Sequence, residues 1–291
     1  VLPDLYWDNY ELVFVEGYGA RFSLYNTFDG GGYDVAAFSR ALRAGGPGKK
    51  IVLLNFPNNP TGYTVTEQEA LGLAEALREA ADEGSRIVVI LDDAYFGLVY
   101  EEGVFRESLF SLLADLHPNV LGVKLDGSTK EDYVWGFRVG FVTFGFRGAG
   151  AAALAALENK AAGVVRGSIS NAPNISQSIL LAGYTDPGYA AQKEQKLAIL
   201  SGRAGEIRAV LGRHPEYGAS FEVMPFNSGY FMCVRPKGVP AEAVRQELLA
   251  HFDTGVIVLS GLVRLAFSSV PTGRIEDLFE NLHAAIGNLR R

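Results

Sequence analysis

Cysteine is almost absent from this sequence: Cys233 is the only one in 291 residues. That excludes a disulfide scaffold and any zinc site built on several thiolates. The lone thiol lies in the apolar run Tyr230 to Val234, where a core position is expected rather than a catalytic one. Histidine is scarce as well, and His117, His214, His251 and His283 show no metal-pair spacing. No basic run is present. With 26 Lys and Arg against 33 Asp and Glu, the net charge is −7, which argues against nucleic acid as a partner. Long apolar runs are missing too: the Ala-rich stretch from Gly148 to Leu157 meets Glu158 before it reaches membrane-spanning length. No secretory leader is visible, so neither a membrane partner nor export is expected, and a cytoplasmic location fits. The first residues, Val1-Leu2-Pro3, read as a start inside a longer protein.

What is present is the composition of a globular protein with a sizeable core and, at 291 residues, room for more than one domain: 48% hydrophobic and 20% charged. Short apolar runs alternate with helical patterns, the signature of a parallel sheet with crossover helices. The runs at 51–54, 86–91, 120–125 and 139–144 are strand candidates. Between the first two, Thr66 and Glu69 are spaced as a capping box opening a helix near Glu67. The sequence predicts a loop from Asp126 to Lys130. Beyond about Ala182 the character changes. One long charged helix is expected over 187–212, followed by strands at 220–224, 230–235 and 263–267 mixed with helices near 241–252 and 274–290. The expected organisation is an α/β large domain with a mostly parallel sheet over 1–184. A bridging helix and a smaller α+β domain follow over 185–291.

Four features carry chemistry. Asn55 to Gly62 is a dense turn signal following a strand. Asp92-Asp93-Ala94-Tyr95 follows a second strand, at the edge where ligands bind open α/β sheets. Ser128-Thr129-Lys130 follows a third. Eight positions further on, Arg138 sits among apolar neighbours in Trp135-Gly136-Phe137-Arg138-Val139-Gly140. Each alone has an ordinary explanation as turn, helix cap, solvated charge or snorkelling side chain. Their order and separation are what is unusual.

Together they resemble the class I/II aminotransferases of the pyridoxal-phosphate superfamily: N-P-T-G at Asn59 to Gly62, D-x-A-Y at Asp92 to Tyr95, a Ser/Thr-rich loop ending at Lys130, then Arg138. Tyr6-Trp7-Asp8-Asn9-Tyr10 is similar to the family's W-x-N-Y segment. Val263-Arg264-Leu265-Ala266-Phe267 is similar to its C-terminal R-L-x-F strand. The resemblance implies the cofactor pyridoxal 5'-phosphate, held covalently at Lys130, with Asp92 beside the pyridine nitrogen. It implies Asn59 and Tyr95 as donors to the ring oxygen, Trp7 stacked on the ring, and Ser128 and Arg138 on the phosphate. Lys130, Asp92 and Tyr95 are then the catalytic set. Arg264 and Asn59 meet the substrate carboxylate. Arg166 to Pro173 resembles the segment that reaches the neighbouring subunit's site in dicarboxylate-specific relatives, where an Arg would pair with a side-chain carboxylate, which implies a lean towards acidic substrates. Family members build the site from two subunits, so the resemblance also implies a homodimer.

Two departures from the family pattern stand out. Gly127 occupies the place where the family often has Ser, so Ser128 sits one position late. The family's main phosphate cradle, upstream of W-x-N-Y, has no counterpart, and Gly30-Gly31-Gly32 reads as a flexible loop instead. Weaker retention of the cofactor is therefore expected than in a chain carrying that cradle. The implied reaction moves an amino group between an amino acid and a 2-oxo acid. A carbon–sulfur β-lyase on the same scaffold, or an aminotransferase-like sensor domain of a transcriptional regulator, shares these motifs and stays open at this point.

Overall fold

Three parallel strands, Lys49–Asn55, Arg86–Asp92 and Val120–Gly127, form the heart of a four-stranded sheet, and Gly140–Gly145 closes it antiparallel. The computed structural model describes all 291 residues. The middle strand reads Arg-Ile-Val-Val-Ile-Leu-Asp, a continuous β-branched run of the kind that a sheet with covered faces selects. Helix Glu67–Asp82 packs its apolar face on this sheet. Its start is fixed by the anticipated capping box, in which Thr66 accepts from the Glu69 amide and Glu69 reaches back to the Thr66 amide. Leu73, Ala74, Leu77 and Ala80 are buried with Val52, Leu54, Val89 and Leu91 in the largest hydrophobic core. At about 25 cal/mol per Å², burying each of the Leu and Val side chains stabilises the fold by roughly 1.5–3 kcal/mol, and each Ala by less.

The second core lies around an antiparallel sheet in the order Ile257–Leu259, Leu262–Leu265, Met232–Pro236, Phe221–Val223, backed by helices Ala241–His251 and Ile275–Leu289. Helix Tyr189–Arg213 serves both regions. Ala204, Ile207 and Val210 enter this core, while Leu200 packs with Tyr95, Leu98 and Tyr230.

Three expectations need correction. Lys130 does not sit in a loop: the strand runs on to Gly127 and Ser128–Glu131 forms one helical turn. Gly30 and Gly31 are not a flexible loop. They make the two-residue turn of a hairpin between Phe28–Asp29 and Gly32–Tyr33, with φ of +58° and +96°, the left-handed backbone that such turns demand. Helices at Ala151–Ser168 and Asn174–Tyr184 were not anticipated. Much of their apolar surface is exposed, so their sequences lack the one-sided pattern that marks a packed helix. No helix is long and apolar enough to cross a membrane.

Candidate active site

Register brings the chemistry together. Asn55 pairs with Asp92, and Asp92 with Leu125, so the three parallel strands deliver their last residues to one edge. That is the carboxyl end, where open α/β sheets bind ligands. A cavity of about 210 Å³ opens there. It is lined by Trp7, Asn55, Asn59, Asp92, Ala94, Tyr95, Lys130, Phe231 and Arg264.

The turn after the first strand is held from within and from outside. Asn58 Oδ1 accepts from the Thr61 amide and hydroxyl, at 3.1 and 2.7 Å, and Asn55 Oδ1 accepts from the Asn59 amide at 2.7 Å. The Gly62 carbonyl accepts from the Asn227 and Ser228 amides at 2.9 and 2.8 Å and from the Ser228 hydroxyl at 3.0 Å. Asn227 also pairs both ways with the Thr64 backbone, each bond 2.8 Å. This staple joins segments more than 160 residues apart and sets Asn59 against Arg264, whose Nη1 donates to Asn59 Oδ1 at 2.9 Å. Gly62 has φ +72°, and a Cβ there would lie 1.9 Å from the Phe231 carbonyl oxygen. Gly62→Ala should therefore lower stability by about 3 kcal/mol or more, read as a drop in thermal midpoint. An unchanged midpoint would refute this account of the glycine.

Asp92 is anchored rather than loose. Its Oδ1 accepts from the Ala94 amide at 3.1 Å, Tyr10 donates to Oδ2, and Asn55 Nδ2 donates to its carbonyl at 2.7 Å. Burial raises the Tyr10 hydroxyl well above its ordinary range and the Asp92 charge adds to this, so Tyr10 stays a donor. The Lys130 amine lies 5.1 Å from the Tyr95 ring centroid. Burial lowers its pKa; Asp92 opposes the shift and the Arg138 charge adds to it. Tyr95 is pushed up to about 12, by burial first, with Arg264 opposing. The Tyr230 hydroxyl donates to the Lys130 carbonyl at 2.9 Å and fixes its backbone. Arg264 stacks 4.2 Å over the centroid of Phe231, and its Nε is buried without an acceptor.

Of the residues singled out from sequence, the fold brings Trp7, Asn59, Asp92, Tyr95, Lys130 and Arg264 around one cavity. Three others lie outside its lining. Ser128 is buried and donates to the Val139 carbonyl at 3.3 Å, so its hydroxyl is engaged away from the cavity. Arg138 is exposed, with φ +54° and a bond from Nη1 to the Trp135 carbonyl; only its charge is felt at Lys130. Arg166 is exposed on its helix and donates to Ser170 at 2.7 Å. Tyr10, Asn55 and Phe231 escaped sequence reasoning. Tyr10 stood within a quoted motif, and Asn55 opens the turn signal, so both were reachable. Phe231 carried no signal at all.

Asp93 behaves differently from its neighbour. It borders a separate narrow cavity with Ser108, and its Oδ2 is buried without a hydrogen bond, 3.6 Å from the Lys124 amine. Burial pushes its carboxyl up to about 6, against the Ser108 hydroxyl and Lys124. Between the ordinary value of 3.8 and about 6 the folded chain binds the extra proton, so stability falls as pH rises through that window. Asp93→Asn should raise stability at pH 7 by of order 1–3 kcal/mol and far less at pH 4. Equal gains at both pH values in thermal melts would contradict this.

The donor set fits a pyridoxal-type ring: an amine for an aldehyde, a carboxylate for a pyridine nitrogen, Asn59 and Tyr95 for a ring oxygen, and Trp7 as a flat wall. The buried, unpaired Arg264 Nε fits a guanidinium with capacity left for an anionic group.

Comparison with known proteins identifies the family. The family model described as aminotransferase class I and II matches residues 1–282. A probable N-acetyl-LL-diaminopimelate aminotransferase of Bacillus subtilis is 30% identical over 96 residues, 33% of this chain and 21% of that protein. A glutamate-pyruvate aminotransferase of Haemophilus influenzae is 31% identical over 94 residues, 32% of this chain and 20% of that protein. The matched stretches thus span about a fifth of those relatives' length. Among solved structures, an aminotransferase from Anaerococcus prevotii superposes with a TM-score of 0.83 at 22% identity, covering 98% of this chain and 69% of that one. By the match over nearly its whole length, the chain belongs to the class I and II aminotransferases.

Proposed function

We propose that this chain carries the catalytic centre of an amino acid aminotransferase that uses pyridoxal 5'-phosphate. The observation that supports this best is the convergence of Lys130, Asp92 and Arg264 on one cavity. When bound, the cofactor supplies the electron sink for a carbanion at the substrate α-carbon. The chain's own groups do the rest. Arg264 grips the α-carboxylate through its planar fork, with Asn59 orienting that fork from one side. The Lys130 amine, its basicity lowered by burial, moves a proton at the α-carbon. Asp92, held by Tyr10 and the Ala94 amide, keeps a proton on the pyridine nitrogen. Trp7 and Phe231 give the cavity apolar walls. Arg138 is the cation we assign to the cofactor phosphate. Ser128 we assign to holding the Lys130 turn. A homodimer, and Arg166 reaching a partner's substrate, remain part of this proposal.

The test is a half-reaction. The chain loaded with pyridoxal phosphate should convert it to pyridoxamine phosphate on addition of an amino acid, followed by chromatography, and back again on addition of a 2-oxo acid. No conversion across acidic, aromatic and aliphatic amino acids would reject the proposal. Release of pyruvate and ammonia from a cystathionine-type substrate would instead favour β-elimination.

A further inference from the structure

A second cavity, of about 500 Å³, lies beside the first, and Phe231 borders both. One wall is the helix Tyr189–Arg213, which presents Lys196 and Arg203. Seven positions, two helical turns, separate them, so they share a face. Their neighbours on the helix, Lys193 and Arg208, are paired with carboxylates of Glu131, Asp132 and Glu101. Lys196 and Arg203 are not. Arg203 donates from Nη1 to the Ser268 carbonyl, and its Nε is buried without an acceptor. No Asp or Glu lines the cavity, although the chain as a whole carries a net charge of −7. The remaining walls are largely aromatic: Tyr133, Trp135 and Tyr230. Tyr133 holds φ at +60°, a backbone that bulky side chains rarely adopt and that marks positions fixed by their surroundings.

Two uncompensated cations among aromatic walls match the chemistry of a carboxylate carried on an apolar body. We propose that this cavity is a second carboxylate-binding site, taking an aryl or alkyl carboxylate. Lys196 and Arg203 hold the charged end, and Tyr133, Trp135 and Tyr230 hold the body. The occupant touches the reactive centre indirectly, because the Tyr230 hydroxyl supports the Lys130 backbone. The site stands apart from the amino-transfer proposal, and its test needs no cofactor.

The probe is 3-phenylpropionate. The chain has two tryptophans, so in a Trp7→Phe background Trp135 alone reports on the cavity by fluorescence. Saturable change is expected in that background, and also when Arg264→Ala removes the carboxylate grip of the first cavity. Lys196 is exposed, so its replacement leaves the fold intact. Lys196→Ala should weaken binding by about 10-fold, and Lys196→Glu by more. No saturable change, unaltered affinity in Lys196→Glu, or loss confined to Arg264→Ala would each overturn the proposal. An amino acid ending in a second carboxylate, such as 2-aminoadipate, separates two sources of the ligand. Dependence on both Arg264 and Lys196 identifies the substrate's own side chain as the occupant, and dependence on Lys196 alone identifies a free carboxylate; either supports the site.

Discussion

Lys130→Ala should leave the chain unable to take up pyridoxal phosphate covalently. Borohydride treatment of the parent mixed with cofactor adds one reduced cofactor to the intact mass; the variant's mass stays unchanged. Amino-transfer rate should fall by about 10²–10⁴ or more, since a positioned general base is removed along with the attachment point. The chain has other lysines, but none of them lines this cavity. A labelled variant would show that a different amine is responsible. The electrostatics supply a companion outcome. The Arg138 charge helps to lower the Lys130 pKa, so removing that charge must raise it. The pH midpoint for reductive labelling should move upward in Arg138→Ala, and a downward move would contradict the geometry.

The second large effect is expected at Arg264. In Arg264→Ala the substrate carboxylate loses its fork while Asn59 Oδ1 loses its donor. Truncating one member of a buried charged pair costs about 2–5 kcal/mol, a fall in kcat/KM of roughly 30-fold to several thousand-fold. Most of it should appear in KM for the amino acid. Arg264→Lys should recover only part, because an ammonium keeps the charge but neither the bidentate geometry nor the stacking on Phe231. Equal kinetics for the Lys variant and the parent would mean that the fork is not used.

The placement of these two residues explains how much was legible beforehand. Motifs at strand ends could be read because strand patterning and turn chemistry are local. Asn59, Asp92 and Lys130 each follow an apolar run, and parallel register aligns those runs at one edge. Phe231 was hidden because it meets Arg264 through the antiparallel register of two neighbouring strands, in which Cys233 faces Arg264, and that pairing joins segments too far apart in sequence for a local pattern to announce. Ser128 and Arg138 were assigned by position in a motif, yet side-chain direction is settled by the helical turn at Ser128–Glu131 and by the positive φ at Arg138. Neither has a sequence signature. The exposed apolar helices at Ala151–Ser168 and Asn174–Tyr184 failed for the opposite reason: with few packed faces, they carry no periodicity to detect.

The bonds from Asn227 and Ser228 to the Gly62 carbonyl have a bearing on synthesis. A nascent chain holds its lysine and its aspartate long before these two residues leave the ribosome. Until they arrive, the turn bearing Asn59 has no outer brace and Arg264 does not yet exist. Competence therefore waits for the brace at Asn227 and Ser228 and then for Arg264, and a product stopped at residue 220 should be a scaffold with a reactive amine but no means of selecting what reaches it.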